Sequence, residues 1–170
     1  MPDKLLQRQS GVTRQYTPVQ ASAGAADAGK VPALGSDGKL DPSMYNGADP
    51  SQPVVASEAL AAGRFVNLYA NAGVLNARLA DNSNNRPAHG FVRSAAASAA
   101  TATVYPMDGI NSALTGLTIG GTYYLGTAGA ALATPLDATD TANNGKIDQK
   151  LGVAKSATEL LTDDYDYVVL

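Results

Sequence analysis

The chain has 170 residues, a formal net charge of −3 and a pI near 4.9. That length allows one domain with a modest core, and the charge excludes a nucleic-acid coat, because neutralising phosphates takes clustered Lys and Arg. Hydrophobic residues make up 45%, but alanine supplies much of that share, with two Phe and no Trp, so the core is built of small pieces and support from neighbouring subunits is expected. The absence of Cys excludes disulfides, zinc-thiolate sites and thiol nucleophiles.

Residues 1–53 read as an extended N-terminal arm and linker, and residues 54–170 as the folded domain. The opening Met-Pro-Asp-Lys-Leu-Leu-Gln-Arg-Gln-Ser lacks the apolar stretch of a secretory signal, and no segment nears the roughly eighteen consecutive apolar residues of a membrane span. A soluble product with no membrane partner, not exported by the general secretory route, is expected. The first fifty residues are rich in Ala, Gly, Ser, Pro, Gln and Asp, with large apolar side chains only in scattered pairs such as Leu5/Leu6 and Val31/Leu34. Ordering backbone costs about 1–2 kcal/mol per residue and burying one large apolar side chain returns about 1.5–3 kcal/mol. Such an arm has no core of its own and is expected to gain order on a partner surface. Lys4, Arg8 and Arg14 against Asp3 make its start slightly basic, while Glu159, Asp163, Asp164 and Asp166 make the other end acidic. These are either solvated tips or docking elements, for each other or for a partner.

Within the arm, residues 30–40 predict a miniature hairpin: Lys30 to Leu34 extends, Gly35-Ser36-Asp37-Gly38 turns, and Lys39-Leu40 returns. Asp49-Pro50-Ser51-Gln52-Pro53 reads as a stiff polar junction. From Val54 onward short strands alternate with Gly and Asn. Residues 65–70 and 74–80 form the clearest pair, Val66 and Leu68 on one face against Asn67, and Leu75, Ala77 and Leu79 against Asn76 and Arg78. That period of two predicts a half-buried hairpin. Further strands are expected at 90–93, 101–105, 122–126, 130–133, 147–154 and 165–170, giving a mainly β domain, a small barrel or sandwich. Two stretches of helix-forming Ala and Leu compete with this reading, residues 56–62, with Gly63 as a cap, and the Ala-rich 94–102; neither is long enough to be stable without packing, and the second lies between Phe91-Val92 and Val104-Tyr105, which look like strands.

Candidate catalytic groups are sparse. His89 is the only imidazole and precedes a strand, but no Gly-x-Ser-x-Gly elbow accompanies it. Asp108, Asp137 and Asp140 sit in turn-like sequence rather than as a glycosidase pair. Asp140-Thr141-Ala142-Asn143-Asn144-Gly145 is superficially like a calcium loop, yet Ala142 and Leu151 fall where oxygen ligands belong. No enzyme activity, cofactor or metal is expected. The Gly-rich stretch from Gly116 to Gly121 lacks the Lys-Ser/Thr of a phosphate loop and reads as a turn. Tyr105, Tyr123, Tyr124, Tyr165 and Tyr167 could stack sugars, or pack in a core or interface.

Gly29-Lys30-Val31-Pro32-Ala33-Leu34, followed by Asp37-Gly38-Lys39-Leu40-Asp41, resembles a segment at the base of tailed-phage fibre and head-decoration proteins. Residues 62–69, 87–92, 116–125 and 151–154 are similar to phage capsid cement or decoration domains. The resemblance implies a β module that forms a homo-oligomer, a homotrimer or a dimer, on the outer surface of a virion capsid, with the major capsid protein as partner and no nucleic acid. It brings no catalytic residues. Lys4, Leu5, Leu6, Arg8, Val12, Arg14, Tyr16, Val31 and Leu34 are the candidate capsid or oligomer contacts. The competing expectation is a fibre module that binds a host receptor or glycan.

Overall fold

Short β-branched and aromatic runs, cut by Gly and Asn turns, make strands throughout this computed structural model, which describes residues 4–44 and 50–170. The chain divides into two units, Met1–Asp49 and Pro50–Leu170.

In the first unit, β1 (Leu5–Gln9) and β2 (Val12–Tyr16) form an antiparallel hairpin with Leu5 opposite Tyr16 and Gln9 opposite Val12. Ser10 and Gly11 join them, both at positive φ (52° and 82°), as a two-residue hairpin turn requires. The hairpin expected at residues 30–40 is not formed. Its turn exists, with Gly35 N–H donating to Lys39 O (2.7 Å) and Gly38 N–H to Gly35 O (3.0 Å), but the residues before it pair elsewhere. Val19 N–H donates to Val31 O (3.0 Å) and Ala33 N–H to Val19 O (2.8 Å), a parallel bridge that takes up the backbone groups Lys39-Leu40 would have needed. Short 3-10 turns at Gly24–Asp27 and Pro42–Met44 complete the described part; Asp49, the first residue of the expected polar junction, lies outside the described residues.

The second unit begins with β3 (Gln52–Ala56), β4 (Phe65–Asn71), β5 (Val74–Leu79), β6 (Gly90–Val92) and β7 (Thr101–Pro106). They close into a barrel in the order β3-β5-β4-β6-β7, with β3 parallel to β5 and antiparallel to β7. No helical turn forms at residues 56–62; Leu60 instead bridges Ala96 through paired backbone hydrogen bonds of 2.9 and 2.8 Å. The remaining strands are β8 (Ile110–Asn111), β9 (Thr122–Leu125), β10 (Ala131–Leu132), β11 (Ile147–Ala154), β12 (Leu160–Thr162) and β13 (Tyr167–Val169). These form a half-barrel ordered β10-β9-β11-β12-β8, with β13 also on β11.

Two cores result. Val54, Ala56, Leu60, Val66, Ala77, Val92, Ala102 and Val104 fill the barrel. Phe65, Phe91, Met107, Leu117, Tyr123, Leu125, Leu151 and Leu160 lie between the barrel wall and the half-barrel. Neighbouring residues such as Phe65 and Val66, or Phe91 and Val92, therefore serve different cores from opposite faces of one strand. This corrects the half-buried reading of β4 and β5: Asn67 and Asn76 are buried rather than solvent-facing. Asn67 Nδ2 donates to Pro87 O (2.9 Å) while its Oδ1 accepts from Arg78 Nε (2.9 Å), and Asn76 Nδ2 donates to Val74 O (3.1 Å).

Buried amides stitch the two sheets. Gln149 on β11 accepts from Ala88 N–H (2.7 Å) and donates to Ala88 O (3.0 Å), and Asn82 Nδ2 donates to Leu125 O (2.9 Å). Asp81 braces the same loop by accepting from Ser83 N–H (2.8 Å), Ser83 Oγ (2.7 Å) and Ala128 N–H (3.0 Å). Burial pushes its carboxyl up, but those hydrogen bonds and nearby Arg86 outweigh it and hold the group below its ordinary 3.8. The stabilisation is present above that ordinary value and is lost as pH falls through the lower folded value. Asp81→Ala is expected to cost about 1 kcal/mol at pH 6, the low end for a charged hydrogen-bond acceptor because the carboxyl is largely solvated. The gap from wild type should shrink in urea melts run near pH 2.

Candidate functional site

His89 precedes β6 and is committed to the barrel wall. Its Nδ1 accepts from Leu68 N–H at 3.1 Å, which places the ring proton on Nε2 in the neutral form, and its own N–H donates to Val66 O at 2.9 Å. No hydroxyl or carboxylate bonds the ring among the described residues. The depression it borders, about 130 Å³, is lined by Pro50, Gln52, Leu68, Val104 and Pro106, with no nucleophile. A larger depression of about 300 Å³ beside β10 is lined by Arg64 and Tyr123 among others, with no carboxylate or imidazole. Asp137 and Asp140 bond their own turns, Asp137 accepting from Thr139 N–H (2.8 Å) and Asp140 from Ala142 N–H (2.9 Å). Among the described residues no three His, Cys, Asp or Glu side chains converge as metal ligands would.

The tyrosine faces are largely covered. The Arg78 guanidinium lies 4.2 Å over Tyr69, Arg93 4.0 Å over Tyr105, and the Lys150 ammonium 4.3 Å over Tyr165. Tyr105 also stacks on Phe91 at 5.7 Å, with the Arg93 guanidinium 5.7 Å from the Phe91 ring, and Tyr123 is buried with its hydroxyl accepting from Thr118 N–H (2.8 Å). Among the described tyrosines Tyr167 alone is exposed. A sugar-stacking platform needs open rings, and Tyr69, Tyr105 and Tyr165 each hold a cation of the same chain instead.

The arm is the opposite case. None of residues 4–8 and 10–44 is buried, although the backbone makes paired strands and turns. Of the candidate contacts, Lys4, Leu5, Leu6, Arg8, Val12, Arg14 and Tyr16 come together on the β1-β2 hairpin. Leu6 is 77% exposed, Leu5 and Val12 are exposed, and Tyr16 is half-buried with its hydroxyl accepting from Val31 N–H at 3.0 Å. Lys4 Nζ reaches Gln15 Oε1 at 3.3 Å, whereas Arg8 and Arg14 are exposed. Val31 and Leu34 lie apart from the hairpin strands, beside the Val19 bridge, both exposed. From Lys4 to Tyr16 there are three cations and no carboxylate.

A feature missing from the sequence reading lies at the other end of the chain. β13 pairs with β11 on one side, and its Tyr167, Val168 and Val169 are all exposed. The sequence shows only an ordinary strand there; openness of its edge is a property of topology.

No protein-family model matches the chain, and no curated protein matches it. Among solved structures it is similar to the head fiber gp8.5 N base of bacteriophage phi29, with 13% identity over 68% of this chain and 95% of that chain and a TM-score of 0.43.

Proposed function

We propose that the chain is a non-catalytic structural component of a phage virion, on the outer surface of the capsid, where its arm lies across neighbouring shell subunits, the major capsid protein included, and holds them together. The observation that carries this reading is the arm without a core: residues 4–44 follow a defined backbone path, and none of residues 4–8 and 10–44 is buried. Leu5, Leu6, Val12, Val31, Leu34 and Leu40 are exposed, and apolar side chains left in water are stabilised when something covers them. Many copies, each adding a small contact, stiffen a shell through avidity. The quoted sequence motifs around Gly29–Asp41 support the same assignment by resemblance.

Deleting residues 1–49 tests it. The remaining domain is expected to melt as it does in the full chain, because both cores lie within residues 54–160, while its occupancy on purified heads lacking the protein falls at least about tenfold, the loss that removing one or two buried apolar side chains produces. Undiminished binding of the truncated chain removes the proposal.

A further inference from the structure

β1 and β13 are each paired on one side, β1 with β2 and β13 with β11. Leu170 N–H donates to Lys146 O at 3.0 Å and Val168 lies opposite Asp148. Strand alternation then turns the N–H and C=O of Tyr167 and Val169 away from β11, where no described strand meets them. An open edge carrying exposed Tyr167, Val168 and Val169 is a template for another strand.

Charge selects which strand. From Asp163 to Leu170 there are three exposed carboxylates, Asp163, Asp164 and Asp166, and no cation. On β11 next to them, Lys150 is drawn onto Tyr165 and Asp148 adds a further negative charge. Two β13 edges meeting across a two-fold axis would set carboxylates against carboxylates, which disfavours self-pairing. The β1-β2 hairpin has the opposite composition: Lys4, Arg8 and Arg14, no carboxylate, and exposed Leu5 and Leu6 along the free edge of β1.

We propose that β1 of one copy adds, antiparallel, to the open β13 edge of a second copy of this chain. Gln9 pairs with Val12 across the turn, so the outward N–H and C=O of β1 belong to Leu6 and Arg8; set against the outward groups of β13, Leu6 falls opposite Tyr167 and Lys4 opposite Val169, and Arg8 lies on the same face as Asp163, one diagonal step away. The interface is head-to-tail, and repetition around a closed ring uses every hairpin and every edge. It rests on the arm being an assembly surface, names the partner for its hairpin, and leaves Val31, Leu34 and Leu40 to the shell.

Sedimentation equilibrium of the full chain, with no capsid present, tests the inference. Self-association that strengthens with concentration and weakens with salt is expected. Arg8→Glu or Asp163→Lys alone should weaken it about tenfold, and the two combined in one chain should restore it to within about threefold of wild type. Val169→Pro, which removes an outward N–H while sparing the bonds to β11, should also weaken association. A wild-type chain that stays monomeric at about 100 µM, well above the affinity of a standard-size interface, overturns the inference, as does a double variant no better than the singles. The two readings fail separately: a monomeric chain that still binds heads through its arm removes only the hairpin assignment, and a self-associating chain that ignores heads removes only the shell contact.

Discussion

Phe91→Ala should lower the stability of residues 50–170 by about 3–5 kcal/mol, the range for deleting a fully buried aromatic side chain. The ring is wholly buried on β6, edge-on to Phe65 at 6.2 Å and stacked on Tyr105 at 5.7 Å. It sits where the barrel wall meets the half-barrel, so the hole it leaves is flanked by two hydrogen-bonded sheets that cannot collapse onto it. The surrounding core combines Ala, Leu and Met with the rings of Phe65, Tyr105 and Tyr123. A second loss follows through Arg93, which lies 4.0 Å over Tyr105 and donates to Ile110 O through Nη2 at 2.8 Å and Nε at 3.2 Å. Without Phe91 beside it, Tyr105 is less firmly held as a platform for that guanidinium, which also loses its own contact with the Phe91 ring at 5.7 Å, and the link from β6 to β8 loosens. Against a usual total of about 5–15 kcal/mol, the melting midpoint should fall by roughly 10–20 °C. Phe91→Leu, which keeps most of the volume, should cost less than half as much. A melt of Phe91→Ala within a few degrees of wild type would mean that the space between the sheets closes on its own.

The β class and most strand positions were legible because period-two alternation and Gly or Asn turns act locally. β4, β5, β9 and β11 all fall within one residue or so of their expected bounds. What alternation could not convey was a second core. Asn67 and Asn76 look like solvent-facing residues until loop backbone and Arg78 cover them. β3 was hidden by Pro53, which ordinarily argues against a central strand. Here β5 runs beside β3 only at Val55 and Ala56, so Pro53 has β7 as its one neighbour and no second ladder to break. β8 and β12 span two and three residues, too short for any period to show. In the arm, the absence of buried residues also removes the hydrophobic pattern, and Ser10-Gly11 was the sole local sign of its hairpin. The candidate contacts were chosen by charge and apolarity, and those are surface properties that a sequence does display. The β13 edge was not among them, since being unpaired depends on where β8 stops.

Gly152→Ala is expected to cost about 3 kcal/mol or more, at or beyond the upper end for overpacking a well-filled interior. Gly152 is buried in β11 between β9, opposite Tyr123, and β12, opposite Thr162, just after the register shift that begins at Lys150. A Cβ there would enter the carbonyl of Leu161, with Leu161 C at 2.9 Å and Thr162 Cα at 3.0 Å. Every obstacle is backbone, so relief requires β12 to leave β11. β12 carries β8, and Thr162 Oγ1 donates to Gly109 O at 2.8 Å, so that edge of the half-barrel should detach as a unit. Amide exchange distinguishes this from general weakening: protection at Leu160–Thr162 should vanish before that of the barrel strands. Gly73→Ala provides the contrast, because Gly73 has φ near +80° but nothing within 4 Å of a Cβ. Its cost is confined to the left-handed backbone, about 1–2 kcal/mol. If both variants lose the same amount and neither exposes β12, the close approach of β12 to β11 contributes nothing beyond ordinary backbone preference, and the half-barrel edge is held by its side chains instead.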